Sequence, residues 1–239
     1  MPEYKKEKPG LAEHTPVFSC KLIGAGKTPL VIADNFHPDP DSLRQQAATL
    51  PYSTSAEDFY PGVRADAPGC YISFINHMLP AVMSTANAPF DASVTLSRLS
   101  LATTAPGQLK PIQCVPHFDS VNDKQWAMVH YLSASNTGGT GFYRHRDTAF
   151  EKVNKADAAI YMKRLKTQAT TVGFPPNEYI DGTTELFVHI GQANWAYNRA
   201  IFYPSTLFHS AQIIPHTLSD HPLAGRLTGN ACIELSTLP

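Results

Sequence analysis

Charge of either sign is scarce in this chain. Only 16% of its 239 residues are charged, 19 Lys and Arg nearly cancel 20 Asp and Glu, and the formal net charge is -1. That balance excludes the strongly basic face a general nucleic-acid binder needs. Cysteine is sparse as well. Cys20, Cys70, Cys114 and Cys232 are widely spaced with no CxxC pair, which excludes a zinc ribbon and argues against a disulfide framework. A reducing cytoplasm is the expected setting. Long apolar runs are missing: the stretch 200–203 is typical, far below the ~20 residues of a membrane-spanning helix. The charged opening Met1-Pro2-Glu3-Tyr4-Lys5-Lys6-Glu7 does not read as a secretory signal. Glycine (14) is outnumbered by proline (20), so breakers favour short strands and loops over long helices.

Hydrophobic residues, at 43%, suffice for a sizeable core and rule out a disordered or coiled-coil chain. The expected organisation is a mobile arm over residues 1–15 and one domain over 16–239. Within that domain an α/β flank (16–92) precedes a β core (93–239). In the flank, strands are expected at 17–23 and 30–33, a helix over 40–47 with an acidic first turn, and a second helix over 71–83. That second helix follows from Ile72, Ile75, Leu79 and Val82 at near-helical spacing. From 94 to 101 apolar and polar residues alternate with the period of a half-buried strand. Strand-like runs recur at 112–118, 126–132, 140–145, 186–190, 199–203, 207–214 and 226–235. Eight such runs divided by Gly, Pro and Asn predict a mainly β fold, a jelly roll or barrel sandwich. An insertion at about 147–184 carries a helix-like stretch, 150–166, and long insertions often cover binding sites.

Two motifs fail. Gly24-Ala25-Gly26-Lys27-Thr28 lacks the first glycine of a phosphate loop, because Lys21 stands there, and Pro29 and a strand follow instead of a helix. His145-Arg146-Asp147 is spelled like a kinase catalytic loop, but Lys152 occupies the position of the metal-binding asparagine. The pattern His-x-Asp occurs three times. His37-Pro38-Asp39 precedes a helix and reads as cap chemistry, while His145-Arg146-Asp147 closes a strand and reads as a solvated edge. His117-Phe118-Asp119 ends a strand-like run. Residues two apart on a strand project from one face, so an imidazole and a carboxylate can converge on an ion while Phe118 packs the other way. His209, at the opening of a later run, is the candidate third ligand. Two histidines and one carboxylate are the facial set of non-haem iron(II), which leaves three positions for cosubstrate and oxygen.

From about 98 to 235 the chain resembles the 2-oxoglutarate- and Fe(II)-dependent dioxygenases, particularly their prolyl-hydroxylase-like branch. His117-Phe118-Asp119 is followed by Val129-His130-Tyr131-Leu132 and by the turn Gly138-Gly139-Thr140. Then come Arg199-Ala200-Ile201-Phe202-Tyr203, His209 and Arg226-Leu227-Thr228. The stretch 197–205, Tyr-Asn-Arg-Ala-Ile-Phe-Tyr-Pro-Ser, is also similar to an uncharacterised bacterial family of that superfamily. The resemblance implies a double-stranded β-helix in which His117, Asp119 and His209 hold Fe(II). It further implies that 2-oxoglutarate chelates the metal and gives its distal carboxylate to Arg226, helped by Tyr131 and Thr228. Arg144 is the reserve anchor, because Arg226 follows His209 by seventeen positions, more than the family usually has. The expected activity is hydroxylation of a small molecule or of an amino-acid or peptide side chain, with decarboxylation of 2-oxoglutarate to succinate. Two other readings stay open: a metal-free jelly-roll binding protein, and a cupin-like metalloenzyme that does not use 2-oxoglutarate.

Overall fold

A computed structural model describes residues 14–54, 59–173 and 175–237. Of the expected arm, residues 1–13 lie outside the described residues, and the His14 ring bonds the Asn35 carbonyl oxygen at 2.7 Å. The flank opens with the hairpin β1 (Val17–Ile23) and β2 (Thr28–Asp34), paired from Val17–Asp34 to Ile23–Thr28. Helix α1 (Pro40–Ala47) starts where Asp39 accepts the Ser42 backbone N–H at 2.9 Å, with Pro40 in the first turn. A short strand that periodicity did not reveal, β3 (Gly62–Asp66), follows. Helix α2 (Gly69–Thr85) then buries Tyr71, Ile75, Leu79, Val82 and Met83, a stripe at i, i+4, i+3 spacing.

The β core comprises β4 (Phe90–Ala102), β5 (Gln125–Tyr131), β6 (Thr140–His145), β7 (Phe187–Ala193), β8 (Arg199–Pro204), β9 (His209–Ala211) and β10 (Arg226–Thr237). A seven-stranded sheet has the order β1-β2-β8-β5-β10-β4-β3, and a three-stranded sheet the order β7-β6-β9. Every pairing is antiparallel. The expected strand at 112–118 is reduced to a 3-10 turn (Pro111–Cys114) and one bridge, His117 to His209, on the free side of β9. Pro111 and Pro116 supply no ladder N–H, which explains the loss. In chain order, β4, the His117 bridge, β5, β6, β7, β8, β9 and β10 visit the large sheet, the small, the large, the small twice, the large, the small and the large. That alternation is a double-stranded β-helix, and the fold class is the expected one.

Three apolar layers result. One lies between the sheets, around Ile32, Val129, Tyr131, Phe142, Ile201 and Tyr203. The second lies between the outer face of the large sheet and helices α1 and α2. The third lies outside the small sheet, where helix α3 (Asp157–Thr171) docks through Tyr161. The insertion helix therefore starts later than 150. Glu151 and Val153 are still hydrogen-bonded to Phe208 and Thr206, and Asn154 Oδ1 accepts the N–H groups of Ala156 and Asp157 to begin the helix. His145 is another correction. It is fully buried, its ring bonded to Thr148 Oγ1 at 2.9 Å and Gln168 Oε1 at 2.7 Å, and it faces Tyr161 edge-on. No helix among the described residues is long and apolar enough to cross a membrane.

Candidate metal centre

His117 and Asp119 flank Phe118 on an extended segment, and their side chains turn one way while Phe118 packs against Phe208 and Tyr161. Backbone bonds hold the segment in place. His117 and His209 exchange N–H···O bonds of 2.9 and 2.8 Å, and the Asp119 N–H reaches the Ser205 carbonyl at 2.9 Å. The result is convergence. His117 Nε2 lies 3.6 Å from one Asp119 oxygen and His209 Nε2 lies 3.5 Å from the other. One ligand atom from each residue falls within 4.8 Å of the others, and among the described residues no other group of His, Cys, Asp or Glu does so. His209 Nδ1 is bonded to the Leu207 carbonyl at 2.9 Å, so that nitrogen carries the hydrogen and Nε2 keeps its lone pair for a metal. The ring is wedged between His117, at 4.4 Å, and Tyr203, at 4.8 Å.

Crowding by the surrounding barrel, helped by the neighbouring His209 and by the Arg64 charge, pushes the His117 imidazole down to about 4 against the pull of Asp119, although 49% of the side chain is still exposed. It is neutral at neutral pH and able to coordinate. Burial likewise pushes the Tyr203 phenol far up, with Asp119 and Tyr131 adding to the shift and Arg226 opposing it.

Arg226 opens β10 opposite Ala102 of β4, and the His209–Arg226 excess bulges out as a loop containing the 3-10 turn Pro215–Thr217. The side chain is 2% exposed, donates from Nη2 to the Gly139 carbonyl at 3.1 Å, and lies 6.0 Å over the Tyr131 ring. Among the described residues its Nε has no hydrogen-bond partner, nor has the buried Ser100 Oγ. Thr228 stands opposite both Ser100 and Tyr131, so the three share one face of the sheet. The Tyr131 hydroxyl meets Thr140 Oγ1 at 2.8 Å, and Thr228 donates to Asn230 Oδ1 at 3.0 Å. Arg144 is elsewhere, on β6, 39% exposed and 4.0 Å from Glu151. The turn Gly138-Gly139 is as tight as expected: Gly138 has φ +98°, and a Cβ there would lie 1.6 Å from the Gln212 carbonyl oxygen.

Sequence reasoning missed two inner-face residues. Arg64 pairs with Ser100 across β3 and β4, and Arg98 pairs with Asp66 on β3 and Asn230 on β10. Arg98 lay inside the alternating run, but β3 had no periodic signal to announce that a second arginine faced the same way. A wider cavity of about 840 Å³ lies where β6 and β9 end at Gly139 and Gln212, and none of the three convergent residues lines it.

The sequence profile described as a family of unknown function, DUF6445, matches residues 14–233. No curated protein matches the sequence. Among solved structures, HygX from Streptomyces hygroscopicus, with nickel and 2-oxoglutarate bound, superimposes with a TM-score of 0.50 at 11% identity. That match covers 87% of this chain and 83% of HygX, and it supports the fold alone. HygX with nickel, 2-oxoglutarate and hygromycin B gives 0.48 at 12% identity over 87% and 83%. AviO1 from Streptomyces viridochromogenes gives 0.44 at 12% over 87% and 91%.

Proposed function

The chain belongs to DUF6445, a family of unknown function, and from its own side chains we propose that it is an Fe(II)- and 2-oxoglutarate-dependent oxygenase. Within that superfamily it falls in the prolyl-hydroxylase-like branch. The reaction is hydroxylation of a small molecule or of an amino-acid or peptide side chain. One observation carries the reading: His117, Asp119 and His209 converge from three backbone positions to form a two-histidine, one-carboxylate face. Such a set suits iron(II) because half the coordination sphere stays open, whereas zinc would usually leave a single position.

The residues present fit both groups. His117 and His209 offer imidazole nitrogens, Asp119 supplies the anion, and the Leu207 carbonyl fixes the His209 tautomer. Arg226, buried with Nε lacking a partner, would take the distal carboxylate of 2-oxoglutarate, with Thr228 and the orphaned Ser100 hydroxyl beside it. A guanidinium suits that task because it pairs with a carboxylate through two charge-assisted bonds. Tyr131, beneath the Arg226 guanidinium, and Tyr203, against the His209 ring, would stand between anchor and metal. Bound together, the metal and cosubstrate supply an oxidant for C–H bonds, with succinate and carbon dioxide as by-products. HygX, which shares the fold, was solved with nickel and 2-oxoglutarate bound.

Anaerobic titration with Fe(II) and 2-oxoglutarate tests the reading. A weak visible metal-to-ligand charge-transfer band is expected, and succinate should form on admitting air. His209→Ala should lose the band, and His37→Ala should keep it. Folded, iron-loaded protein without the band would overturn 2-oxoglutarate use and leave the cupin-like alternative. Failure to bind iron at all would leave the metal-free binding protein.

A further inference from the structure

On the side of the small sheet turned away from the barrel interior, the chain builds a second recess. Thr140 points inward to the Tyr131 hydroxyl, so its β6 neighbours Gly139 and Gly141 face outward. Gln192 of β7 pairs with Gly141 and shares that outer face. Gln212, one past the Thr140–Ala211 pair, donates its backbone N–H to the Gly139 carbonyl at 3.0 Å. Two residues without side chains thus leave a trough between two glutamines. The insertion supplies a further wall. The Tyr179 hydroxyl donates to the Thr104 carbonyl at 2.7 Å, the Gly107 N–H to the Asn177 carbonyl at 2.6 Å, and Gln212 Nε2 to Asp181 at 3.3 Å. The space enclosed is the cavity of about 840 Å³, a size within the ~300–1,000 Å³ of small-molecule sites.

Its lining carries one sign of charge. Glu178 and Asp181 are the charged residues among the described lining, and neither makes an ion pair with a described residue. Four carboxamides accompany them. Asn136 Oδ1 accepts the Gly138 N–H at 3.0 Å, and Gln192 Nε2 donates to Asn194 Oδ1 at 2.6 Å. Among the described residues this leaves the amide nitrogens of Asn136 and Asn194 and the amide oxygens of Gln192 and Gln212 without partners, two donors and two acceptors.

Two buried donors are also unmet. The indole N–H of Trp195, which lines the cavity, has no partner among the described residues. Nor has the hydroxyl of Tyr143, a fully buried residue on the outer face of β6. A Cβ on Gly141 would lie 2.6 Å from that oxygen, so the Tyr143 side chain runs back along β6 toward Gly139 and the cavity. A buried donor left open costs free energy that an oxygen of a guest would recover.

Each feature selects. Carboxylates without a protein cation attract an ammonium group, and amides that offer both donors and acceptors suit hydroxyl groups. The same charges repel an anion, and a purely apolar guest would strand the amides. We propose that this cavity binds a polyhydroxylated amine, an amino sugar or aminocyclitol, whose ammonium groups are taken by Asp181 and Glu178. Gly139, whose carbonyl accepts Arg226 Nη2 at 3.1 Å, is part of the wall, but His117, Asp119 and His209 are not. The inference therefore stands independently of the oxygenase reading.

The experiment titrates the full chain by calorimetry without added metal or 2-oxoglutarate. Neamine, an amino sugar joined to an aminocyclitol, is compared with its fully N-acetylated form, with spermidine and with maltose. Acetylation removes the charge, spermidine lacks the hydroxyls and maltose lacks the amines. Neamine should bind about tenfold or more tightly than each, the worth of one charge-assisted bond. Asp181→Asn and Glu178→Gln replace exposed side chains by near-isosteres and should each weaken neamine by a similar factor, whereas Glu185→Gln, outside the cavity, should not. Trp195→Phe keeps a ring but loses the N–H, and should weaken it by about threefold. No heat of binding with neamine would overturn the proposal. So would equal affinity for any of the three comparison compounds, or a neamine affinity that survives both carboxylate changes.

Discussion

At the scale of single residues, Arg226 is the most consequential cation in the barrel. A guanidinium this deeply buried, its Nε lacking a partner among the described residues, carries an unmet desolvation cost that a bound carboxylate would relieve. Arg226→Gln should therefore weaken 2-oxoglutarate by roughly 10- to 100-fold, the worth of a charge-assisted bond, while metal uptake stays intact. Titration of the charge-transfer band checks both. Gly138 makes a purely conformational prediction. Gly138→Ala would combine a left-handed φ with a Cβ driven into the Gln212 carbonyl, and should cost about 2–4 kcal/mol in urea denaturation. The pairing of His117 with Asp119 was legible in the sequence because a two-residue spacing on an extended chain carries its own geometry. Arg64 was not, because its meaning depends on which strand β3 lies beside.

At the scale of elements, His130 ties three pieces together. Tyr71 on α2 bonds its Nδ1 at 2.8 Å, and its Nε2 meets Asn198 Oδ1 at 3.0 Å. Asn198 in turn accepts the His37 N–H and donates to the His37 carbonyl. Burial pushes His130 down to about 3, against a free imidazole near 6.5. Below about 6.5 the unfolded chain takes up a proton that the folded protein refuses, so this contribution is whole above that pH and shrinks as pH falls toward 3. The slope is at most about 1.4 kcal/mol per pH unit. His130→Gln should flatten the wild-type acid dependence of stability by up to one proton, measured by denaturant titrations between pH 4 and 7. A second tie joins the β1–β2 turn to the segment after β6. The N–H groups of Ala25 and Gly26 both donate to the Glu151 carboxylate at 3.0 Å. The glycine-rich stretch that fails as a phosphate loop is thus an anion cradle filled by the chain's own carboxylate. Glu151→Ala should cost about 1–3 kcal/mol and speed hydrogen exchange at those two amides.

At the scale of the molecule, three apolar layers carry the fold without a metal. Protein treated with a chelator should keep its far-UV circular dichroism, unlike a zinc finger, which unfolds when stripped. Adding Mn(II) and 2-oxoglutarate at a hundred times their dissociation constants should stabilise it by about 5 kcal/mol, roughly 2.7 kcal/mol from each ligand, read as a rise in melting temperature. Where α3 docks also matters at this scale. It lies on the outer side of the small sheet through Tyr161, away from the face that carries the triad. This helix buttresses Phe118 and Phe208 from behind, while Glu178, Tyr179 and Asp181 of the same insertion line the 840 Å³ cavity.

What the sequence alone determined is what short-range chemistry encodes. Strand alternation, the Asp39 cap, the glycine turn and the paired projection of His117 and Asp119 each depend on neighbours within a few residues. What only the tertiary structure decided is which distant side chains meet. His209 joins the pair because one bridge aligns its backbone with His117, and Arg64 comes to share a face with Ser100 because β3 adds to the edge of β4. Register between strands far apart in sequence sets those encounters, and no local pattern records it.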